Sequence, residues 1–242
     1  QNGVKAEYLI SSFPSKTFPN HYSLATGLYP DHHGIINNSF YAPDLDMIYR
    51  IGDVSMVRNP DSYFGDPIWV TAENQGVKAA SYFWVGSEAA IMGRSPSYWY
   101  AYDEAVPYMA RVDQVIQWLN LPLNQRPGLI LLYFDEPDGI AHRHGPEHTE
   151  TGEMVNYLDS VLGYLRSEIA ALEYGERVNL IVLSDHGMGP TSPHKYVNLS
   201  EHIREHWTSS IIGGNPVYLI EAAEGYANSI TLALDPLVGV SD

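Results

Sequence analysis

The side chains best suited to chemistry lie in three places along the chain. In Ser15-Lys-Thr-Phe-Pro-Asn-His-Tyr22, Pro19 stands where a helix would begin, and the residues that follow suit a short helix ending near Gly27. Thr17 then falls at or just before a helix N-terminus. Unpaired N–H groups and the positive end of the dipole there favour an alkoxide or a phosphoryl oxygen, although a threonine at that point also suits simple helix capping. Asp138 and His142 stand four residues apart. In a helical turn both would project from one face and could grip one cation; in a solvated loop they would not. Asp185 and His186 are adjacent and followed by Gly187. A turn can converge them on a metal, and an ordinary polar strand exit reads the same way. Together, two Asp/His pairs and a hydroxyl at a helix start are the components of a two-metal hydrolase. One cation binds and deprotonates the hydroxyl and the other polarises a phosphoryl oxygen, about 4 Å away. The chain has no cysteine, so Asp and His ligands favour two Zn²⁺ ions, with Mn²⁺ or another divalent cation as alternatives.

Such residues need elements to position them. Leu129-Ile-Leu-Leu-Tyr-Phe134 and Val178-Asn-Leu-Ile-Val-Leu183 are continuous apolar runs of strand length, the pattern of parallel strands covered on both faces. The first runs into Asp135-Glu-Pro-Asp138 and the second into Ser184-Asp-His-Gly-Met188. Between them Met154, Val155, Leu158, Val161, Leu162, Leu165, Ile169 and Leu172 recur at helical spacing. Val106, Met109, Val112, Ile116 and Leu119 do the same ahead of the first run. Helix, strand, helix, strand predicts an α/β fold, a mostly parallel sheet flanked by helices and joined by right-handed crossovers. In such sheets chemistry gathers at the carboxyl ends of the strands. No internal repeat or low-complexity linker interrupts residues 1–242, which read as a single catalytic domain.

Thirteen basic against 29 acidic residues give a formal charge of −16. That balance argues against a protein that coats nucleic acid, whose affinity would come from Lys and Arg on phosphates. The longest apolar run, Gly128 to Phe134, is too short to span a bilayer. No basic start followed by an apolar stretch marks a signal peptide in the sequence.

Lys16-Thr-Phe-Pro-Asn-His-Tyr22, Thr26-Gly-Leu-Tyr-Pro30, His33-Gly-Ile-Ile36, Pro67-Ile-Trp-Val-Thr-Ala72, Phe83-Trp84, Glu136-Pro-Asp138 with His142, Gly145-Pro146 and Ser184-Asp-His-Gly-Met188 together resemble the nucleotide pyrophosphatase/phosphodiesterase family. The resemblance runs in family order from Thr17 to about Leu199. It implies the alkaline-phosphatase-like fold of that superfamily and hydrolysis of phosphodiester or pyrophosphate bonds through a phospho-threonine intermediate. It also implies a small-molecule phosphodiester or nucleotide substrate and an extracytoplasmic location, periplasmic or secreted. By the same resemblance Thr17 matches the nucleophile and a ligand of one zinc, shared with Asp185 and His186. Asp138 and His142 match ligands of the second zinc. Asn38 matches the donor to the phosphoryl oxygen, the oxyanion-hole principle applied to phosphorus. Phe18, Tyr102 and Tyr133 match aromatic positions that flank a nucleobase, with ordinary core packing as the alternative.

The chain departs from the family pattern in places. Asn2 stands where the family has an Asp ahead of an Ala-Glu-Tyr-Leu-like stretch, and the strand before that Asp is absent. A longer helical segment between Leu9 and Phe13 is missing. The family's last zinc ligand, a His in a Phe-His-Gly context, has no counterpart, since His194, His202 and His206 lack that context. The chain therefore reads as a fragment, incomplete at both ends. The lack of cysteine points to a bacterial member, because animal relatives are disulfide-rich. A phosphomonoesterase of the same superfamily, or a non-catalytic homologue with an incomplete zinc site, are the competing readings.

Overall fold

Two helical segments and a hairpin open the chain in the computed structural model, which describes residues 3–214 and 216–237. Asn2 lies outside these residues. In chain order the elements are α1 (Thr17–Thr26), α2 (Pro30–His33), β1 (Ser39–Ala42), β2 (Met47–Arg50), α3 (Val54–Val57), α4 (Ile68–Asn74), β3 (Ala79–Tyr82), β4 (Tyr98–Tyr100), α5 (Tyr108–Leu119), β5 (Leu129–Leu132), α6 (Asp138–His144), α7 (Thr149–Ala171), β6 (Thr208–Gly214), β7 (Val217–Ala222) and α8 (Ala227–Leu234). No helix among the described residues is long and apolar enough to cross a membrane.

The parallel sheet has the order β4-β3-β5, with Ala79 opposite Leu129 and Tyr82 opposite Leu132. Successive side chains of a strand point to opposite faces, and β5 divides accordingly. Leu129 and Leu131 pack against a core built on Tyr22, Ile35, Tyr49, Trp69 and Val70. Ile130 and Leu132 pack against a second core built on Val112, Trp118, Val161, Leu165 and Ile169. The first apolar run is thus a strand covered on both faces, as its sequence predicts, although the ladder stops at Leu132. The two helical periodicities are α5, which buries Val112, Val115, Trp118 and Leu119, and α7, which buries Val161, Leu165 and Ile169.

The second apolar run departs from expectation. Residues 178–183 form no strand and have no ladder partner. Leu180, Ile181, Val182 and Leu183 are 41, 80, 62 and 45% exposed. A strand exists only through hydrogen bonds to a neighbour, and none of the described strands pairs with this run. Val178 packs against the second core, while Leu180 to Leu183 stay largely in water despite their strand-like composition.

Helix α1 ends as its sequence predicts, on Gly27 with φ 71°, a left-handed C-cap that glycine adopts without a Cβ clash. Just beyond, His33 at the end of α2 is fully buried. Its Nδ1 accepts the Ile35 N–H at 3.2 Å, so in the neutral ring Nε2–H donates to Ser23 Oγ at 2.9 Å, tying α2 to α1. Burial pushes the imidazole pKa from 6.5 to about 4, outweighing two backbone hydrogen bonds and the charge of Asp31. A folded-state pKa below the unfolded value means that the unfolded chain takes up the proton first on acidification. His33 therefore contributes full stability above pH 6.5 and loses it as pH falls toward 4. Urea unfolding across that window should show a decline in the native chain that is flattened in His33→Gln.

Candidate active site

Thr17 is the first residue of α1. Lys16 is its N-cap and makes no side-chain capping bond, and Pro19 falls in the first turn, where the missing N–H removes no helical bond. The Thr17 hydroxyl faces His186, with Oγ1 3.3 Å from Nε2. His186 Nδ1 lies 3.0 Å from Gly187 O. A carbonyl only accepts, so the ring proton sits on Nδ1 and the Nε2 lone pair points at Thr17. The same Nε2 is 3.2 Å from Asp185 Oδ2 and 4.0 Å from Asp138 Oδ1. Asp138 opens α6, and His142 stands one turn on with Nε2 3.5 Å from Asp138 Oδ1. Structure thus brings Thr17, Asp138, His142, Asp185 and His186 together, with Asp138 just past β5 and Asp185 on the chain that follows the exposed apolar run.

Asp138 Oδ1 is buried without a hydrogen-bond partner. A buried carboxylate oxygen lacking a donor is costly unless a cation meets it. The two Asp/His pairs and the Thr17 oxygen are hard or borderline donors of the kind that zinc accepts. This donor set fits divalent cations. Asp185 is held in place by His21, whose Nδ1 lies 3.4 Å from Oδ2 and 2.8 Å from Thr17 O. Burial alone would raise the Asp185 carboxyl, but the hydrogen bond and charge of His21 bring it below its ordinary value. Lys16 is pulled down by partial burial, against the attraction of Asp138; its ammonium reaches Gly214 O at 3.5 Å.

Asn38 lies across the start of α1. Its Oδ1 accepts the Phe18 N–H at 3.1 Å, which leaves the side-chain NH₂ to donate. Tyr102 and Tyr133 are neighbours, ring centroids 6.3 Å apart, and Tyr133 also meets His21 edge-on at 4.9 Å. Burial raises both phenols, Tyr133 the more strongly. Phe18 meets Tyr49 edge-on and packs against the first core. His21, Lys16 and Arg111 have no role in the sequence reading. For His21 the signal was its i, i+4 spacing from Thr17 on one helix face.

Behind the Asp138 turn sits Arg111, fully buried. Its Nη1 donates to Asp135 Oδ1 at 2.8 Å and to Tyr133 O at 3.1 Å. Its guanidinium lies over Tyr108 and Phe83, 4.6 and 5.0 Å from the ring centres. Arg143 adds a contact to Glu136 at 3.2 Å. These pairs fix the backbone that delivers Asp138.

A model of the family described as type I phosphodiesterase / nucleotide pyrophosphatase matches residues 1–234. The chain is 44% identical over 186 residues to venom phosphodiesterase CdcPDE of Crotalus durissus collilineatus, covering 77% of this chain and 22% of that protein. It is 40% identical over 212 residues to human ectonucleotide pyrophosphatase/phosphodiesterase family member 1, covering 88% and 23%. The chain thus spans less than a quarter of the length of these relatives. Among solved structures, murine ectonucleotide pyrophosphatase/phosphodiesterase 5, an inactive variant in complex with AMP, superposes with a TM-score of 0.85 at 29% identity. The match covers 96% of this chain and 62% of that one.

Arg111→Met should leave Asp135, 26% exposed, with the Tyr108 hydroxyl as its remaining donor and destabilise the fold by about 2 kcal/mol, below the scale for a fully buried ion pair. Urea denaturation measures this, and an unchanged midpoint would show that the pair does not hold the Asp138 turn.

Proposed function

We propose, from the premise that this chain belongs to the type I phosphodiesterase/nucleotide pyrophosphatase family, that it is the catalytic segment of a phosphodiester hydrolase with Thr17 as nucleophile. The observation that carries the reading is the convergence on His186 Nε2 of Thr17 Oγ1, Asp185 Oδ2 and Asp138 Oδ1 at 3.3, 3.2 and 4.0 Å. Thr17, Asp185 and His186 would hold one Zn²⁺, and Asp138 and His142 a second. Bound there, the ions would lower the pKa of the Thr17 hydroxyl and offset charge on the phosphoryl oxygens.

The chain's own groups do the rest. Thr17 Oγ1 attacks phosphorus; the bond to the leaving alcohol or nucleotide breaks, and the phosphoryl group rests on Thr17 until water releases it. Oγ1 is free for this role because Lys16, not Thr17, occupies the N-cap. The N-terminus of α1 presents its dipole to the transferring group. Asn38, its carbonyl fixed by the Phe18 N–H, would donate its NH₂ to a phosphoryl oxygen. Phe18, Tyr102 and Tyr133 would flank the nucleobase of a nucleotide substrate. The murine structure in complex with AMP favours a nucleotide among possible substrates. The names of the venom and ectonucleotide relatives support an extracytoplasmic location. That residues 1–242 act as one catalytic domain belongs to the same proposal.

In the protein that carries this segment, Thr17→Ala should lower hydrolysis of a chromogenic nitrophenyl phosphodiester by about 10³-fold or more, and Thr17→Ser should recover part of the rate. Turnover near the native level in Thr17→Ala, with folding intact by circular dichroism, would show that another group is the nucleophile.

A further inference from the structure

We infer that His144, His148 and Glu150 form a second, surface metal site that clips α6 to α7 and takes a borderline divalent cation such as Zn²⁺. One ligand atom from each of the three lies within 4.8 Å of the others. Two imidazoles and a carboxylate form a donor set that zinc uses with solvent in the fourth position. The site is distinct from the candidate active site although it shares α6. His144 is two residues beyond His142, about 200° around the helix axis, and closes the helix that Asp138 opens.

Three independent features hold the ligands in place. His144 Nε2 is 2.9 Å from Glu150 Oε2. The rings of His144 and His148 stack with centroids 5.2 Å apart and planes 26° off parallel. The connecting loop is closed by Thr151 Oγ1, which donates to Gly145 O at 2.8 Å. A tetrahedral zinc ion separates its ligand atoms by about 3.3 Å, so small side-chain rotations suffice. In the ion-free state His144 donates Nε2–H to Glu150; ligation moves that proton to Nδ1 or releases it to solvent, leaving the Nε2 lone pair for the ion. His148 is the N-cap of α7, and its Nδ1 accepts the Glu150 N–H at 3.4 Å. A neutral imidazole has one lone pair, so the ion replaces this long cap bond rather than adding to it.

Zinc titration of the chain, followed by histidine ring NMR and by metal content after gel filtration, tests the site. The ring signals of His144 and His148 should move together, and His144→Gln, which leaves the α7 cap in place, should take up one zinc ion fewer per chain. Glu150→Gln should weaken uptake in the same way. Asp185→Asn, altered only in the candidate active site, should keep this ion, so failure of the one site is distinguishable from failure of the other. Equal zinc uptake by native chain, His144→Gln and Glu150→Gln, or static His144 and His148 signals while zinc binds, would overturn the inference.

Discussion

The oxygen Oδ1 of Asp138 is buried and no donor meets it, and the candidate site is organised around that imbalance. A second carboxylate, Asp185, lies on the other side of His186. A carboxylate on each side of one lone-pair nitrogen is favoured by positive charge nearby. The protein supplies little of that charge itself. Lys16 attracts Asp138 from part-burial while also reaching Gly214 O, and Arg111 is bonded to Asp135 and Tyr133. The proposed pair of cations would supply the balancing charge.

Holding such donors together needs a rigid frame, and the frame is a parallel sheet covered on both faces. β5 divides its side chains between two cores and delivers Asp138 through a short turn locked by Arg111. Helix α1 is set by its Tyr22, which packs against Trp69 and Tyr63, and by Asn20, whose side-chain NH₂ donates to Pro14 O and Lys16 O at 3.0 Å. It delivers Thr17 with its hydroxyl turned to His186 rather than capping the helix. His21 then couples the two, touching both the Thr17 carbonyl and Asp185. The nucleophile candidate and a ligand candidate are thereby positioned by one buried imidazole.

Much of this is legible in the sequence, for physical reasons. Helical spacing at Val112 and Leu119 or at Val161 and Ile169 reports burial directly. Spacing of four between Asp138 and His142 reports a shared helix face. Residues 178–183 show the limit: their composition is that of a buried strand, but strand formation depends on a partner elsewhere in the chain, which composition does not encode. The roles of Phe18, Tyr102 and Tyr133 rest on family pattern, because an aromatic side chain in the sequence reads equally as core packing, and Phe18 does meet Tyr49. Arg111 was hidden for a different reason. A charged residue within an apolar helical stripe reads as an exposed position until its partner, Asp135, is seen from another element.

The most direct measurement of the central claim is anomalous diffraction at the zinc edge from crystals of the protein grown with zinc. The account requires one peak bounded by Thr17 Oγ1, Asp185 and His186 and a second bounded by Asp138 and His142, about 4 Å apart. Zinc found only on surface histidines, with Asp138 and Asp185 instead paired to protein cations, would contradict it.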